Sequence, residues 1–131
     1  AVGHIGWEFL HMPLYRLWEE GSAGEIVFAA IHCTGGDILI ALAVLTTALV
    51  LVGNAGWPFV RYREVALTTV ALGIGYTVLS EWLNVDVRES WAYAPSMPTI
   101  PYLGTGLTPI AQWIVVPLVA LHTAYPKAPA D

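Results

Sequence analysis

The chain alternates long apolar stretches with short polar ones, a pattern typical of helices that span a membrane. The clearest stretch runs from about residue 26 to 53, and no charged residue occurs between Ile38 and Val60. Two further apolar segments lie at about 64–84 and 107–125. Because about 20 apolar residues cross a bilayer core of roughly 30 Å, each of the three segments is predicted to be a transmembrane helix.

The first segment, about residues 1–18, differs because it mixes apolar residues with His4, Glu8, His11 and Arg16. We interpret it as the end of a membrane helix or as an amphipathic helix at the interface. The pattern therefore predicts one all-α domain over residues 1–131. It is an integral membrane bundle of about four helices, in which the first is partial or interfacial.

The connection between the third and fourth segments, residues 85–106, is long and rich in Pro, Trp and Tyr. It is predicted to be a structured loop at the membrane surface. Two interpretations are open: a lid lined by Trp91 and Tyr93, or an interfacial anchor of the kind that aromatic residues form. In the third segment, Gly73 and Gly75 are expected to permit close helix contact.

Composition and charge support the membrane assignment and exclude several classes of protein. Of the 131 residues, 56% are hydrophobic and 11% are charged, whereas a soluble domain carries about 25% charged residues. The net charge of −5 argues against a nucleic-acid partner. The single cysteine, Cys33, excludes an internal disulfide and is expected to be a small core residue.

Basic residues predict the orientation of the helices. Arg61 and Arg63 lie between the second and third segments and Lys127 follows the fourth, whereas acidic residues concentrate in the other two loops. We therefore expect a protein of the bacterial cytoplasmic (inner) membrane, with residues 54–63 and the C-terminus in the cytoplasm. Residues 19–25 and 85–106 would then be extracytoplasmic.

In this orientation, the polar residues of the helices gather in the extracytoplasmic half of the bundle. His4, Glu8 and His11 share one helix face because they are spaced i, i+4, i+7. Placing an ionisable group inside a membrane costs roughly 2.5–3.5 kcal/mol. The members of such a cluster are therefore expected either to interact with one another or to bind a ligand. His4 is expected to be an interfacial residue only. The predicted members are Glu8, His11, His32, Asp37, Glu81, Asn84 and Gln112.

The leading hypothesis is a metal site in a membrane-embedded enzyme that acts on a lipidic substrate. His11, His32 and Glu81 would be the ligands of a Zn, Fe or Mn ion, and Glu8 or Asp37 would be a further ligand or a general base. Haem b held between His11 and His32 is a less favoured form of this hypothesis. The substrate-binding site, or the loop over it, would be lined by Asn84, Arg88, Trp91, Tyr93 and Gln112.

The alternative hypothesis is a non-catalytic subunit of a larger membrane complex, or a chain that associates with itself. The polar cluster would then be a helix-packing network. Arg88 is open to two interpretations, an anionic headgroup site or an ion pair with Asp86 or Glu89. Membrane lipid is the expected partner in either case. A channel or carrier is disfavoured because the inner half of the bundle offers no polar path.

Overall fold

The computed structural model describes residues 1–125, which form a helical fold with no strand. A short helix α1 (Val2–His11) leads through a 3₁₀ turn (Met12–Leu14) to α2 (Leu17–Glu20). Three long helices follow, and all three are long and apolar enough to cross a membrane. They are α3 (Ala23–Val52), α4 (Tyr62–Glu81, continued by a π-helical segment Trp82–Val87) and α5 (Leu107–Ala124).

The predicted first segment is a half-length helix inside the bundle. The ten residues of α1 span about 15 Å, roughly half of a bilayer core. The helix ends at His11, and Pro13 in the following turn cannot supply a backbone N–H to continue it. His4, Glu8 and His11 on one face of α1 are buried against the bundle, whereas Val2 and Leu10 are exposed. The expected four helices are therefore three candidate spans and one shorter helix.

The helices are arranged so that α1 lies across from α4. Helix α4 packs against α3 and α5, and α1 packs against the same two helices. Trp7 Nε1 donates to the Thr108 carbonyl at 3.2 Å, and Gly3 lies beside Val116. Helix α1 therefore fills only one half of the bundle. We call the end with residues 12–22 and 88–106 the site end, and the end with residues 53–61 the far end.

The start of α3 is set by a capping box. The Glu25 carboxylate accepts from the Ser22 backbone N–H at 2.8 Å, and Ser22 Oγ accepts from the Glu25 N–H at 3.3 Å. These bonds satisfy backbone donors at the first turn. Helix α3 consequently begins at Ala23, three residues before the apolar pattern, and α2 occupies part of the predicted loop at 19–25.

Of the two glycines that were expected at a helix contact, only Gly73 lies at such a contact. A Cβ on Gly73 would stand 3.0 Å from Trp113 Cδ2 and closer still to Cε3, so α4 and α5 approach where residue 73 has no side chain. A Cβ on Gly75 would meet nothing within 4 Å. The close contact between α4 and α5 therefore depends on Gly73 alone of this pair.

The loop after α4 packs against the connection between α1 and α2. The Arg16 N–H donates to the Ala92 carbonyl at 3.0 Å, and the Ala94 N–H donates to the Leu14 carbonyl at 2.9 Å. These bonds flank an isolated antiparallel bridge between Tyr15 and Tyr93. Residues 88–106 therefore cover the site end next to the C-terminus of α1.

Candidate functional site

The Gln112 side chain joins three helices at the centre of the polar cluster. Its Nε2 lies 2.7 Å from Asp37 Oδ2 on α3 and 3.1 Å from both Glu8 Oε1 and His4 Nδ1 on α1. His4 Nδ1 is also 3.3 Å from Asp37 Oδ2. Gln112, His4 and Glu8 are exposed by only 3%, 4% and 5%. These three side chains of the network are therefore almost fully buried.

Glu8 and His11 form the second pair of the cluster. His11 Nε2 lies 3.3 Å from Glu8 Oε2, as the Glu-x-x-His spacing on one helix face allows. The other ring nitrogen of His11, Nδ1, is buried and has no hydrogen-bond partner among the described residues. Because Glu8 also accepts from Gln112, its carboxylate links this pair to the central network.

Glu81 is held from the loop rather than from another membrane helix. The Tyr93 hydroxyl donates to Glu81 Oε2 and accepts the Gly106 N–H at 2.9 Å. Burial and the bond to Glu81 raise the pKa of the Tyr93 phenol above its usual value near 10, so it stays a neutral donor. Burial, and next the charge of Glu81, likewise raise the pKa of Tyr15, whose ring meets the rings of His11 and Tyr93 edge-on.

These groups surround a cavity of about 460 Å³ at the site end, which we call the site cavity. Its wall includes Phe28 and Tyr76, which are 67% and 46% exposed. The cavity is therefore open towards the side of the bundle between α3 and α4. The sequence-predicted residues on its wall are Glu8, His11, His32, Asp37, Glu81, Asn84, Trp91 and Gln112.

Other predicted residues lie at the edge of the site or away from it. His32 is exposed and stacks on Phe28, with the ring centroids 5.6 Å apart. The Asn84 side chain donates to the Ser80 carbonyl at 2.9 Å, within its own helix. Arg88 is exposed, and no ion pair joins it to Asp86 or Glu89 in the part of the chain described. Of the two interpretations of Arg88, the ion pair is therefore absent from residues 1–125.

The predicted metal ligands do not converge in this arrangement. Within residues 1–125, no group of three or more His, Cys, Asp or Glu side chains is placed to hold a metal ion. His11 is paired with Glu8, Glu81 with Tyr93, and His32 with the Phe28 ring. In residues 1–125, a metal held by His11, His32 and Glu81 would therefore require these side chains to leave their present partners.

Sequence reasoning missed three residues of the site. His4, expected to be interfacial, is buried in the central network, and the i, i+4, i+7 spacing with Glu8 and His11 was the one signal for it. Trp113 is 3% exposed and its ring lies 5.6 Å from that of His4. Tyr15 belongs to the cavity wall. Nothing in the sequence distinguished Tyr15 or Trp113 from the other aromatic residues.

Comparison with known proteins identified no relative. No family model, no curated protein and no solved structure matches this chain.

Proposed function

We propose that this chain is a membrane-embedded enzyme that binds a lipidic substrate in the site cavity and uses His11 as a general base. The observation that carries the proposal is the state of the His11 ring. Its Nε2 is engaged by Glu8 at 3.3 Å, whereas Nδ1 is buried without a hydrogen-bond partner among the described residues, and the His11 side chain lines the site cavity. A base oriented by a carboxylate is a recurring arrangement in enzymes.

The chemistry follows from the tautomer that this arrangement favours. A hydrogen on Nε2 donates to Glu8, which leaves a lone pair on Nδ1 to accept a proton from the substrate or from a water that attacks it. His11 then carries two ring hydrogens, and the Glu8 carboxylate stabilises the resulting imidazolium. The proton returns from Nδ1 to the product or its leaving group.

The shape of the cavity supports a lipidic substrate. Its volume of about 460 Å³ lies in the range of small-molecule sites, and the exposed Phe28 and Tyr76 on its wall border the side of the bundle. Trp91 lies on the same wall, and its indole Nε1 is a buried donor beside the Glu81 carboxylate. We propose that it donates to a polar group of the substrate while the apolar part extends between α3 and α4.

Water labelled with two isotopes tests the proposal for any reaction that exchanges a proton or adds a water molecule. Purified protein is incubated with a membrane lipid extract in ²H₂O and in H₂¹⁸O, and the lipids are analysed by mass spectrometry. We expect one lipid class to gain label, and the gain to fall at least about a hundredfold in His11→Gln. His122→Gln, at the exposed end of α5, is the matched control. Equal labelling by both variants, or no labelled lipid with wild type, would overturn the proposal.

A metal ion is a second candidate, because the unpartnered Nδ1 of His11 is also a possible ligand atom. A Zn, Fe or Mn ion, or less favourably haem b, would require His32 or Glu81 to leave its present partner. Elemental analysis after purification without chelators tests this candidate. Stoichiometric metal that is lost in both His32→Ala and Glu81→Ala would favour it over the metal-independent base.

A non-catalytic subunit of a larger membrane complex is the third candidate, favoured by the way Gln112 ties α1, α3 and α5 together. Native electrophoresis of gently solubilised membranes separates it from an enzyme. A large assembly, together with no labelled lipid, would support a subunit role.

We also propose that the site end faces away from the cytoplasm of a bacterial cell. Labelling of Ser96→Cys, in the exposed loop, with a membrane-impermeant maleimide in whole cells tests that orientation. Protection of this cysteine in intact cells but not in lysed cells would contradict it.

A further inference from the structure

The Gln112 side-chain nitrogen has more neighbouring acceptor atoms than it has hydrogens to donate. The amide nitrogen carries two hydrogens, but three acceptor atoms lie within hydrogen-bond distance of it. These are Asp37 Oδ2 at 2.7 Å, Glu8 Oε1 at 3.1 Å and His4 Nδ1 at 3.1 Å. One of the three must therefore be something other than an acceptor from Gln112.

His4 is the group that resolves this excess. Its Nδ1 lies 3.3 Å from Asp37 Oδ2, and two lone pairs would face each other there if the nitrogen carried no hydrogen. A hydrogen on Nδ1 donates to Asp37 and removes His4 from the acceptors of Gln112. The two amide hydrogens then serve Glu8 and Asp37, and every hydrogen in the group has one acceptor.

The reversed orientation of the Gln112 amide requires more added protons. With its oxygen in place of the nitrogen, His4, Glu8 and Asp37 would all have to donate to it. Both carboxyl groups would then need a proton in addition to the hydrogen on His4. With Asp37 ionised in the first orientation, and protonated in the reversed one, Nδ1 of His4 carries a hydrogen in both, so the conclusion about His4 does not depend on how the amide is turned.

We infer that His4 is a positioning residue that is held in the Nδ1–H tautomer and fixes the carboxylate of Asp37 in the site cavity. The inference rests on the proposed function, since Asp37 lines the same cavity as His11. With Oδ2 engaged by both Gln112 and His4, Oδ1 is the oxygen that remains for the substrate. The substrate class is thereby narrowed to lipids with a hydrogen-bond donor, such as a hydroxyl group, next to the reacting atom.

The side chains around His4, on each helix that packs against it, favour a hydrogen bond from His4 Nδ1 to Asp37. Asp37 approaches from α3, Gln112 and the Trp113 ring from α5, and Glu8 lies one turn along α1. The two carboxylates are the charged groups of this set, and no Lys or Arg side chain forms an ion pair with either within residues 1–125. A hydrogen donated by His4 is thus the closest compensation for the charge of Asp37.

Nitrogen NMR of the protein labelled with ¹⁵N-histidine tests the inference directly. The chain contains four histidines, so His11→Gln, His32→Gln and His122→Gln variants assign the signals without altering His4. We expect His4 to show a protonated Nδ1 and an unprotonated Nε2. The opposite pattern in the wild-type protein would overturn the inference.

A matched pair of variants separates positioning from packing. Asp37→Asn retains an acceptor oxygen and should keep the His4 tautomer, whereas Asp37→Leu removes the acceptor and should abolish it. A tautomer unchanged in Asp37→Leu would overturn the role of Asp37 as its partner. This measurement needs no lipid, so it can fail or succeed independently of the isotope labelling that tests the proposed function.

The effect on the reaction is the last arm of the test. If His4 positions Asp37, then His4→Asn, which offers Asp37 a donor, should retain more lipid labelling than His4→Ala, which should lose about a hundredfold. Equal loss in His4→Asn and His4→Ala, with both variants folded as judged by circular dichroism, would overturn the positioning role.

Discussion

Replacing Gly73 with alanine should loosen the contact between α4 and α5 that supports the site. The added Cβ would stand 3.0 Å from Trp113 Cδ2 and 3.1 Å from Cζ3, with Cε3 closer still. Carbon atoms pack best at about 3.5–4.0 Å, so either the indole or the helix must move by several tenths of an ångström or more. Trp113 is 3% exposed and lines the site cavity, so an indole that gives way would disturb the site.

The expected cost follows from two opposing terms. Overpacking a close contact costs about 1–3 kcal/mol, whereas glycine to alanine in a helix gains about 1 kcal/mol. Gly75→Ala has the second term without the first, because its Cβ would meet nothing within 4 Å. The difference between the two variants, about 1–3 kcal/mol in the free energy of unfolding, therefore isolates the clash with Trp113.

Unfolding by sodium dodecyl sulfate in mixed micelles, followed by circular dichroism, measures this difference. Gly73→Ala should unfold at a lower detergent fraction than Gly75→Ala. It should also label lipid more slowly, since the ring of Trp113 lies 5.6 Å from that of His4. Equal stability of the two variants would refute the reasoning, because it would mean that the helices do not meet at residue 73.

Two further predictions concern hydrogen bonds at the site end. Tyr93→Phe removes the hydroxyl that donates to Glu81 and should destabilise the protein by about 1–3 kcal/mol in chemical unfolding, since a buried carboxylate loses its donor. Because the pKa of Tyr93 is raised, its stabilising contribution is present below about pH 10 and is lost as the pH rises through the higher folded value. Wild type should thus lose stability in alkali more steeply than Tyr93→Phe, and parallel curves would contradict this assignment. Ser22→Ala should cost about 1 kcal/mol in the same assay because the capping box with Glu25 is lost, while Ser96→Ala, in an exposed loop position, should leave stability unchanged; equal effects would show that the cap contributes nothing.

Much of the fold could be predicted because it depends on local patterns. The three candidate spans follow from apolar runs, and the Glu8–His11 pair follows from i, i+3 spacing on one helix. The start of α3 was misplaced because a capping box, rather than hydrophobicity, determines where that helix begins. Local sequence was sufficient wherever the interacting atoms lie within one or two turns of each other.

The pairing within the site could not be predicted in the same way. Gln112 meets Asp37 across 75 positions and Glu8 across 104, and such contacts depend on how each helix is rotated about its axis. His32 and Asp37 lie on one helix about 140° apart, so they face the site cavity from different sides of α3. Asp37 is held by Gln112 and His4, whereas His32 stacks on Phe28 at the exposed edge of the cavity. The predicted ligand set failed to converge for this reason.

The sequence by itself determined that the chain is helical, with three helices apolar enough to cross a membrane and with their few polar residues towards one end, because long apolar runs of about 20 residues are typical of such helices. The tertiary structure decided which of those residues meet. In that structure, His4 is buried against Asp37 and Gln112, and His32 is exposed and stacks on Phe28. Tyr93 of the loop reaches Glu81. The physical reason is that burial inside a membrane penalises every unpaired polar atom, but hydropathy does not specify the partner. Helix rotation and the short α1 fix those partners.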